Sequence, residues 1–247
     1  SAPGLVVLIY HRVGARTTSQ IDLPSGLFED QVAELADAGR IVTLDEGLRR
    51  LSADEVDDQP VVLTFDDGTS DWVSEALPVL ARHAAPATFY VATDFVERGV
   101  PFAGDGLPVS WAALGELVAS GLATIGSHTH THALLDRADG QTAATELDRS
   151  LDLIGTHLGV TCDHFAYPKA LLGSPAAEAE VRRRFRSATV AGSRANRPGA
   201  DAHRLQRTPI QTADGMRWFR RKAAGGMRLE DTARSVLNRG RYAGAAT

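Results

Sequence analysis

Residues 61–71 read VVLTFDDGTSD, a run of apolar and β-branched residues that ends abruptly at two adjacent carboxylates and a glycine. The run is typical of a buried strand. In a parallel βα architecture, the residues just past the carboxyl end of a strand line the active face. Taken alone, Asp66, Asp67 and Gly68 are also typical of a turn, in which Gly supplies a positive φ. The elements that surround this stretch are therefore needed to distinguish an active-site segment from an ordinary turn.

Short apolar runs alternate with longer amphipathic segments along nearly the whole chain, as expected for repeated βα units. Eight strands are predicted, at 5–10, 40–44, 61–65, 87–91, 122–126, 163–167, 187–191 and 205–210. Helices are predicted at 25–39, 69–84, 110–120, 142–158 and 174–185. Ser25 and Ser110 are the expected N-caps of the first and third helices, and Pro78 is expected to kink the second. This order implies a covered parallel sheet, hence a barrel or a doubly wound sheet. The first strand is not followed by the G-x-G-x-x-G turn of a dinucleotide fold.

The composition is that of an ordinary globular protein. The chain has 247 residues and a formal net charge of -5, enough length for one large α/β domain or two small ones. Because it has no long basic run, neither nucleic acid nor an anionic membrane is expected as a partner. No apolar run reaches the ~18 residues that predict a transmembrane segment. The single Cys162 excludes an intramolecular disulfide framework and a multi-cysteine zinc site.

The chain ends and the domain boundaries give further expectations. The start, SAPGLVVLIY, lacks the features of a secretion signal, but the chain also lacks an initiator Met. We expect a cell-envelope or secreted protein if an N-terminal signal has been removed, and a cytoplasmic protein otherwise. Residues 1–247 are predicted to form a single catalytic domain, with 213–247 as a C-terminal helical extension that ends in a basic tail. Segments 97–108 and 193–203 are predicted to be long loops. The sequence defines no oligomeric state.

A second chemical feature is the segment SHTHTH, residues 127–132, which holds three of the chain's eight histidines. A strand would place all three imidazoles on one face, whereas a helical turn would align only His128 with His132. The outer pair converges in either case, and His130 does not. Two imidazoles that face a carboxylate form a ligand set suited to zinc, and three protein ligands leave a fourth position open for water.

TFDDG followed by HTHTH resembles the first two motifs of the polysaccharide deacetylases, the carbohydrate esterase family 4 or NodB-homology domain. The resemblance runs from about residue 5 to residue 212. It implies an α/β fold, a distorted (β/α) barrel with seven or eight mostly parallel strands. It also implies that Asp66 is the catalytic base and that Asp67, His128 and His132 bind the metal. The implied cofactor is Zn2+ or another divalent transition metal such as Co2+ or Ni2+.

FAYPKA, residues 165–170, resembles the third motif of the family, in which a backbone N–H beside an aromatic residue helps to hold the oxyanion. This resemblance implies that Tyr167 supplies the donor and that Pro168 shapes the groove. Many members carry an Arg in this motif that orients the catalytic Asp, whereas this chain has Ala166 at that position. FAYP without the Arg resembles instead the branch that deacetylates poly-N-acetylglucosamine and related surface glycans.

The general acid is a second departure from the family pattern. Most members place a histidine in a late motif, yet no histidine follows His203 in this chain. VVLIYHRVG, residues 6–14, resembles the amino-terminal YHR segment of the surface-glycan branch. His11 follows the first predicted strand, so a barrel would bring it to the same rim as Asp66 and His128. We expect it to act as the general acid or as a hydrogen-bonding partner of an active-site Asp.

The leading functional hypothesis is a metal-dependent N-deacetylase that acts on a carbohydrate carrying N-acetylhexosamine units and releases acetate. One alternative keeps the site but changes the substrate to a non-sugar amide or imide, or to an O-acetyl ester. A further alternative is a non-catalytic glycan-binding module. The loops at 97–108 and 193–203 are expected to distinguish an open groove for a chain from a closed pocket for a small molecule.

Overall fold

The stretch 61–67 is one strand of a closed barrel in the computed structural model, which describes residues 3–226. The strands of the described residues are β1 (Val6–Tyr10), β2 (Arg12–Val13), β3 (Asp22–Leu23), β4 (Val61–Asp67), β5 (Ala87–Val91), β6 (Ala123–Ser127), β7 (His164–Ala166), β8 (Ser187–Ala191) and β9 (Leu205–Pro209). Strands β2 and β3 pair with each other. The other seven close the barrel in the order β1-β4-β5-β6-β7-β8-β9, and each neighbouring pair is parallel.

Helices connect the barrel strands and cover their outer faces. The α-helices of the described residues are α1 (Ser25–Asp37), α2 (Leu44–Ser52), α3 (Leu77–Arg82), α4 (Thr93–Arg98), α5 (Trp111–Ala119), α6 (Gly140–Leu158), α7 (Pro175–Arg184) and α8 (Gly215–Ala223). The prediction of a parallel α/β barrel is therefore confirmed, and the doubly wound alternative is excluded. Seven of the eight predicted strands are barrel strands. Ser110 caps α5, as predicted, by accepting a hydrogen bond from the Ala113 N–H. A π-helical turn at Trp72–Ala76 precedes α3 and Pro78, so the expected helix is interrupted there.

Two local predictions are wrong. Residues 40–44 do not form a strand: Ile41 makes one isolated bridge to Val61, and Thr43 then caps α2 through the N–H of Glu46. The capping hydroxyl favours a helix more strongly than the short apolar run favours a strand. Ser25 is not the N-cap of α1, because Pro24 occupies that position and the Ser25 hydroxyl donates to Glu75 instead.

The alternation of side chains along the strands separates two apolar regions. On β4, Leu63 and Phe65 pack outward in the large core that contains the helices, while Val62 lies in a smaller cluster with α2. Leu44 and Leu51 of α2 belong to this smaller cluster, together with apolar side chains from inside the barrel. Helix α2 therefore seals the amino end of the barrel and leaves the carboxyl end for chemistry.

The first part of the predicted C-terminal extension, 213–247, contains helix α8. Helix α8 packs beside α1, and its Arg220 pairs with Glu34. The predicted basic tail beyond residue 226 lies outside the described residues. Within residues 3–226, no helix combines the length and the hydropathy needed to cross a membrane.

Candidate active site

The two predicted motifs meet at the carboxyl end of the barrel. Asp66 and Asp67 end β4, and His128 follows β6, with only β5 between the two strands. Asp67 has a φ of 84° and Gly68 a φ of 117°. A left-handed backbone is uncommon for a residue other than glycine and is concentrated at functional sites. The strand therefore bends at Asp67, and consecutive carboxylates take up different positions.

Asp67, His128 and His132 form a cluster in which one ligand atom of each residue lies within 4.8 Å of the others. The Asp67 Oδ1 lies 3.4 Å from the His132 Nε2 and 3.6 Å from the His128 Nε2. Tetrahedral zinc with ligand bonds of about 2.0–2.2 Å holds its ligand atoms roughly 3.3–3.6 Å apart. The separations of Asp67 from the two imidazoles thus fit a metal ion, and the three predicted ligands lie together in one cluster.

The orientation of His128 also fits metal binding. Its ring is buried, and its Nδ1 hydrogen-bonds to the Ala166 carbonyl at 2.7 Å, which leaves Nε2 directed at Asp67. Metal-binding histidines commonly fix their tautomer through such a bond. Burial lowers the pKa of His128 to about 4, against a smaller opposing effect of Asp66. The imidazole is therefore neutral at physiological pH, as a ligand has to be.

Asp66 is held by an arginine that the sequence reasoning missed. Arg207 of β9 is fully buried and donates two hydrogen bonds to the Asp66 carboxylate, at 2.7 and 2.8 Å. It also donates to the Thr64 hydroxyl, and its guanidinium carbon lies 5.1 Å from the centre of the Tyr90 ring. Burial raises the pKa of Asp66, but Arg207 and His128 outweigh it, so the pKa is lowered. Asp66 is therefore an oriented carboxylate rather than a carboxylic acid.

One signal in the sequence could have revealed Arg207. It lies in the middle of the predicted strand 205–210, LQRTPI, where a charged side chain is expected only if a partner compensates its burial. The expected position for such an arginine was in the third motif, which has Ala166 instead. The third motif lies on β7, two strands away from β9 in the barrel. Arg207 on β9 therefore reaches the Asp66 carboxylate from a different direction than an arginine at position 166 would.

The middle histidine points elsewhere. The His130 Nδ1 shares a hydrogen bond with the Thr93 hydroxyl at 2.9 Å, and its Nε2 lies 3.8 Å from Asp94. Both partners belong to α4. The loop itself is fixed by Glu146 of α6, which accepts from the N–H groups of His130 and Thr131. His130 is thus a structural residue of the histidine loop and lies outside the ligand cluster.

His11 lines the same cavity as Asp66, Asp67, His128 and His132, as the barrel predicts for a residue that follows β1. The cavity has a volume of about 170 Å³. The His11 Nδ1 is buried and has no hydrogen-bond partner among the described residues. The carbonyl of His11 accepts a hydrogen bond from the Trp72 indole at 2.8 Å, which fixes the backbone and leaves the imidazole in the cavity.

The third motif lies beside the cavity, but not in the predicted way. The Tyr167 N–H donates to the Thr189 carbonyl at 3.3 Å because the ladder between β7 and β8 continues past Ala166. The expectation that this N–H is offered to an oxyanion is therefore not supported by the geometry. Pro168 is buried and begins a short 3-10 turn. The next two residues, Lys169 and Ala170, line the cavity in their place, and both have a φ of 55°.

The two long loops lie at different ends of the barrel. Backbone hydrogen bonds join Ser70 to Leu107 and Val109 to Gly68, so the loop 97–108 runs beside the turn that follows Asp67. Asn196, in contrast, pairs with Leu5 before β1 and with Gln206 near the start of β9. The expectation that 193–203 could help to enclose the substrate is wrong for this part of the loop, which lies at the amino end.

Comparisons with known proteins agree with the fold. The family model for polysaccharide deacetylase matches residues 53–185, which is more than half of the chain. Among solved structures, IcaB from Ammonifex degensii has 30% sequence identity and a TM-score of 0.77, over 90% of this chain and 96% of that one. The Streptococcus pyogenes deacetylase PplD, solved in complex with acetate, has 21% identity and a TM-score of 0.78, over 90% and 99% of the two chains. A de-N-acetylase from Aggregatibacter actinomycetemcomitans shares the fold at 19% identity, with a TM-score of 0.73 over 88% and 99%. No curated protein matches the sequence.

The fold and the site define a parallel α/β barrel with a carboxylate–imidazole cluster at its carboxyl end, the end at which such barrels carry their active sites. Within that class, the chain belongs to the polysaccharide deacetylase family.

Proposed function

We propose that this protein is a metal-dependent N-deacetylase that hydrolyses the acetamide of N-acetylhexosamine units in a polysaccharide or glycoconjugate and releases acetate. The proposal depends on one observation: a metal-ligand cluster and a separately oriented carboxylate line the same cavity. Asp67, His128 and His132 form the cluster, and Asp66 is the carboxylate. The acetate complex of the similar PplD and the de-N-acetylase from A. actinomycetemcomitans support the same reaction.

Zn2+, or a comparable divalent transition metal, fits the donor set of one carboxylate and two neutral imidazoles. Bound there, it would supply Lewis acidity towards the acetamide carbonyl and increase the acidity of water in its open position. Asp67, His128 and His132 would hold it, because one ligand atom of each lies within 4.8 Å of the others.

Asp66 is suited to accept the proton of the attacking water. A general base has to be ionised and has to reach that water, and the two hydrogen bonds from Arg207 fix both its charge and its direction. The Asp66 Oδ2 lies 3.9 Å from the His128 Nε2, next to the ligand cluster without being part of it. Two adjacent Asp residues can therefore perform different tasks.

His11 is placed to deliver a proton to the leaving amine. Its imidazole lines the cavity with Asp66, and its Nδ1 has no other hydrogen-bond partner among the described residues. The amine departs only if it is protonated as the C–N bond breaks, so a donor on this rim completes the reaction.

The size of the cavity favours a polymer over a small molecule. Pockets that enclose small ligands usually have volumes of about 300–1,000 Å³. A cavity of about 170 Å³ holds the reacting acetamide and leaves the rest of a sugar chain on the surface. This argues against the alternative of an enclosed small amide or imide.

The direct test is acetate release from partly N-acetylated glucosamine oligomers with added zinc, for the wild type and Asp66→Asn. We expect release by the wild type and a loss of at least about 10² in the variant, the lower range for removal of a general base. The matched control is Asp163→Asn, which changes a partly exposed Asp before β7. Zinc binding without acetate release by the wild type would contradict catalysis on this substrate and favour a glycan-binding module. Release only from O-acetyl esters would favour the esterase alternative.

A further inference from the structure

The segment that carries His11 is held on one side by the turn that follows Asp67. On the other side it is held by the loop 102–106, which belongs to none of the motifs described above. Residues 11–13 follow β1 and include the short strand β2. Side chains alternate along an extended segment, so His11 and Arg12 face opposite directions. His11 lines the cavity, whereas Arg12 is buried with only 5% of its surface exposed.

The turn after Asp67 fixes the backbone on both sides of Arg12. The Trp72 indole donates to the His11 carbonyl at 2.8 Å, and the Val13 N–H donates to the Asp71 carboxylate at 2.7 Å. The N–H of Arg12 itself donates to the Ile21 carbonyl at 3.1 Å. Three backbone groups of this segment are therefore satisfied by neighbouring elements, which limits its movement.

The side chain of Arg12 binds the loop at the active face. Its guanidinium donates to the Gly104 carbonyl at 2.6 Å and to the Ala103 carbonyl at 2.7 Å. Both carbonyls lie in the turn closed by the Phe102–Gly106 bridge, and the Phe102 ring stacks on Phe95 at 4.0 Å. A Cβ at Gly106 would overlap the guanidinium, so the turn closes directly over Arg12.

This burial of charge is poorly explained by stability alone. No carboxylate forms an ion pair with Arg12 within the described part of the chain, and its Nε has no hydrogen-bond partner there. A buried charge compensated only by carbonyl dipoles is usually destabilising compared with an apolar side chain of similar size. A group that costs stability at the rim of an active site points to a role in function.

We propose that Arg12 is a positioning residue, which locks the loop 102–106 to the segment of His11 and so fixes the His11 imidazole over the cavity. The proposal rests on the proposed function, because it takes His11 as the proton donor. The loop 102–106 leads into Leu107, whose carbonyl is bound by Ser70 beside the reaction site. Arg12 therefore joins the loop that runs beside the turn after Asp67 to His11, the residue that completes the reaction.

The test is a double-mutant cycle with Arg12→Met and His11→Ala, measured by acetate release. Small misplacements of a catalytic group can lower rates by about 10². We expect Arg12→Met to lower kcat by at least about tenfold in the wild-type background and by less than about twofold when His11 is already absent. Arg12→Lys should be intermediate, because an ammonium lacks the planar fork that spans two carbonyls. Arg16→Met is the matched control, since Arg16 follows the same segment, is half-exposed and pairs with Glu75 of the π-helical turn.

A second measurement separates this proposal from the proposed function. The ring resonances of His11 in NMR spectra should shift in Arg12→Met and stay unchanged in Arg16→Met, whether or not the chosen oligomer is a substrate. If the wild type releases no acetate from any oligomer, the proposed function fails and the resonances still decide the role of Arg12. Equal loss of kcat in both backgrounds, or unchanged His11 resonances in a folded Arg12→Met or Arg12→Lys protein, would overturn the positioning role.

Discussion

Asp66 and Arg207 form a buried ion pair that orients the carboxylate next to the ligand cluster. Removing one member of a buried pair typically costs about 3–5 kcal/mol, because the remaining charge is left uncompensated. The pair here is bidentate and links β9 to β4 across β1, which lies between them. Its geometry fixes the direction of the Asp66 carboxylate, so its effect on catalysis and its effect on stability can be measured separately.

We predict that Arg207→Lys lowers acetate release by about 10² while the protein stays folded, because a single ammonium cannot hold both carboxylate oxygens. Metal content should remain that of the wild type, since Arg207 contacts no predicted ligand. The measurements are kcat/KM and metal content of the same preparation. Wild-type activity in a folded Arg207→Lys protein would show that Asp66 needs no bidentate partner.

The histidine loop gives a second prediction at this scale. His128→Ala and His132→Ala should each abolish metal binding, because each removes one of three ligands. His130→Ala should keep most of the metal, since its partners are Thr93 and Asp94. Elemental analysis of the three purified variants measures this directly. An equal loss from His130→Ala would refute the division of roles.

The sequence predicts these residues unevenly, and the reasons are physical. His128 and His132 converge in any regular backbone, so their pairing can be predicted without a structure. Asp67, Thr129 and His132 have φ values of 84°, 64° and 61°, which no propensity pattern indicates for such residues. Arg207 was missed because its partner is 141 positions away in the chain.

Among the elements, one predicted strand failed, and a local helix signal explains why. Residues 40–44 have the composition of a strand, but Thr43, Asp45 and Glu46 give a stronger helix start. Helix α2 then fills the amino end of the barrel, where a strand would have left the interior open. A reading of apolar runs alone cannot distinguish a short strand from the approach to a buried helix.

The close packing of β6 leads to a prediction of its own. A Cβ at Gly126 would overlap the Tyr90 ring, against which Arg207 packs. Gly126→Ala should therefore destabilise the protein by about 1–3 kcal/mol, the usual cost of overpacking. Gly115→Ala on α5 is the matched control, because nothing lies within 4 Å of its added Cβ. That substitution should stabilise by about 0.5–1 kcal/mol.

Urea unfolding of the two glycine variants measures both changes on one scale. Equal stabilities of Gly126→Ala and Gly115→Ala would mean that β6 and Tyr90 can separate without cost. In that case the contact between Gly126 and the Tyr90 ring would not be a rigid support for Arg207.

At the scale of the whole molecule, the barrel brings together residues from the entire chain. His11, Asp66, His128 and Arg207 come from four different βα units, and they meet because parallel strands place all their carboxyl ends at one rim. The alternation of strands and helices predicts a parallel sheet, either a barrel or a doubly wound sheet. The family resemblance favours the barrel. The sequence does not predict which of the two long loops lies beside the rim. Their positions depend on long-range contacts such as that of Leu5 with Asn196, which have no local sequence signal.

Zinc-edge anomalous diffraction from crystals grown with zinc would show which side chains bind the metal. We predict one peak about 2.0–2.2 Å from a carboxylate oxygen of Asp67 and from the Nε2 atoms of His128 and His132, the usual zinc–ligand distances. Asp66 should remain bound to Arg207 and outside this set. A peak bound by His130 or by Asp66 in place of these residues, or no peak at the cluster in zinc-saturated crystals, would refute Asp67, His128 and His132 as the metal ligands.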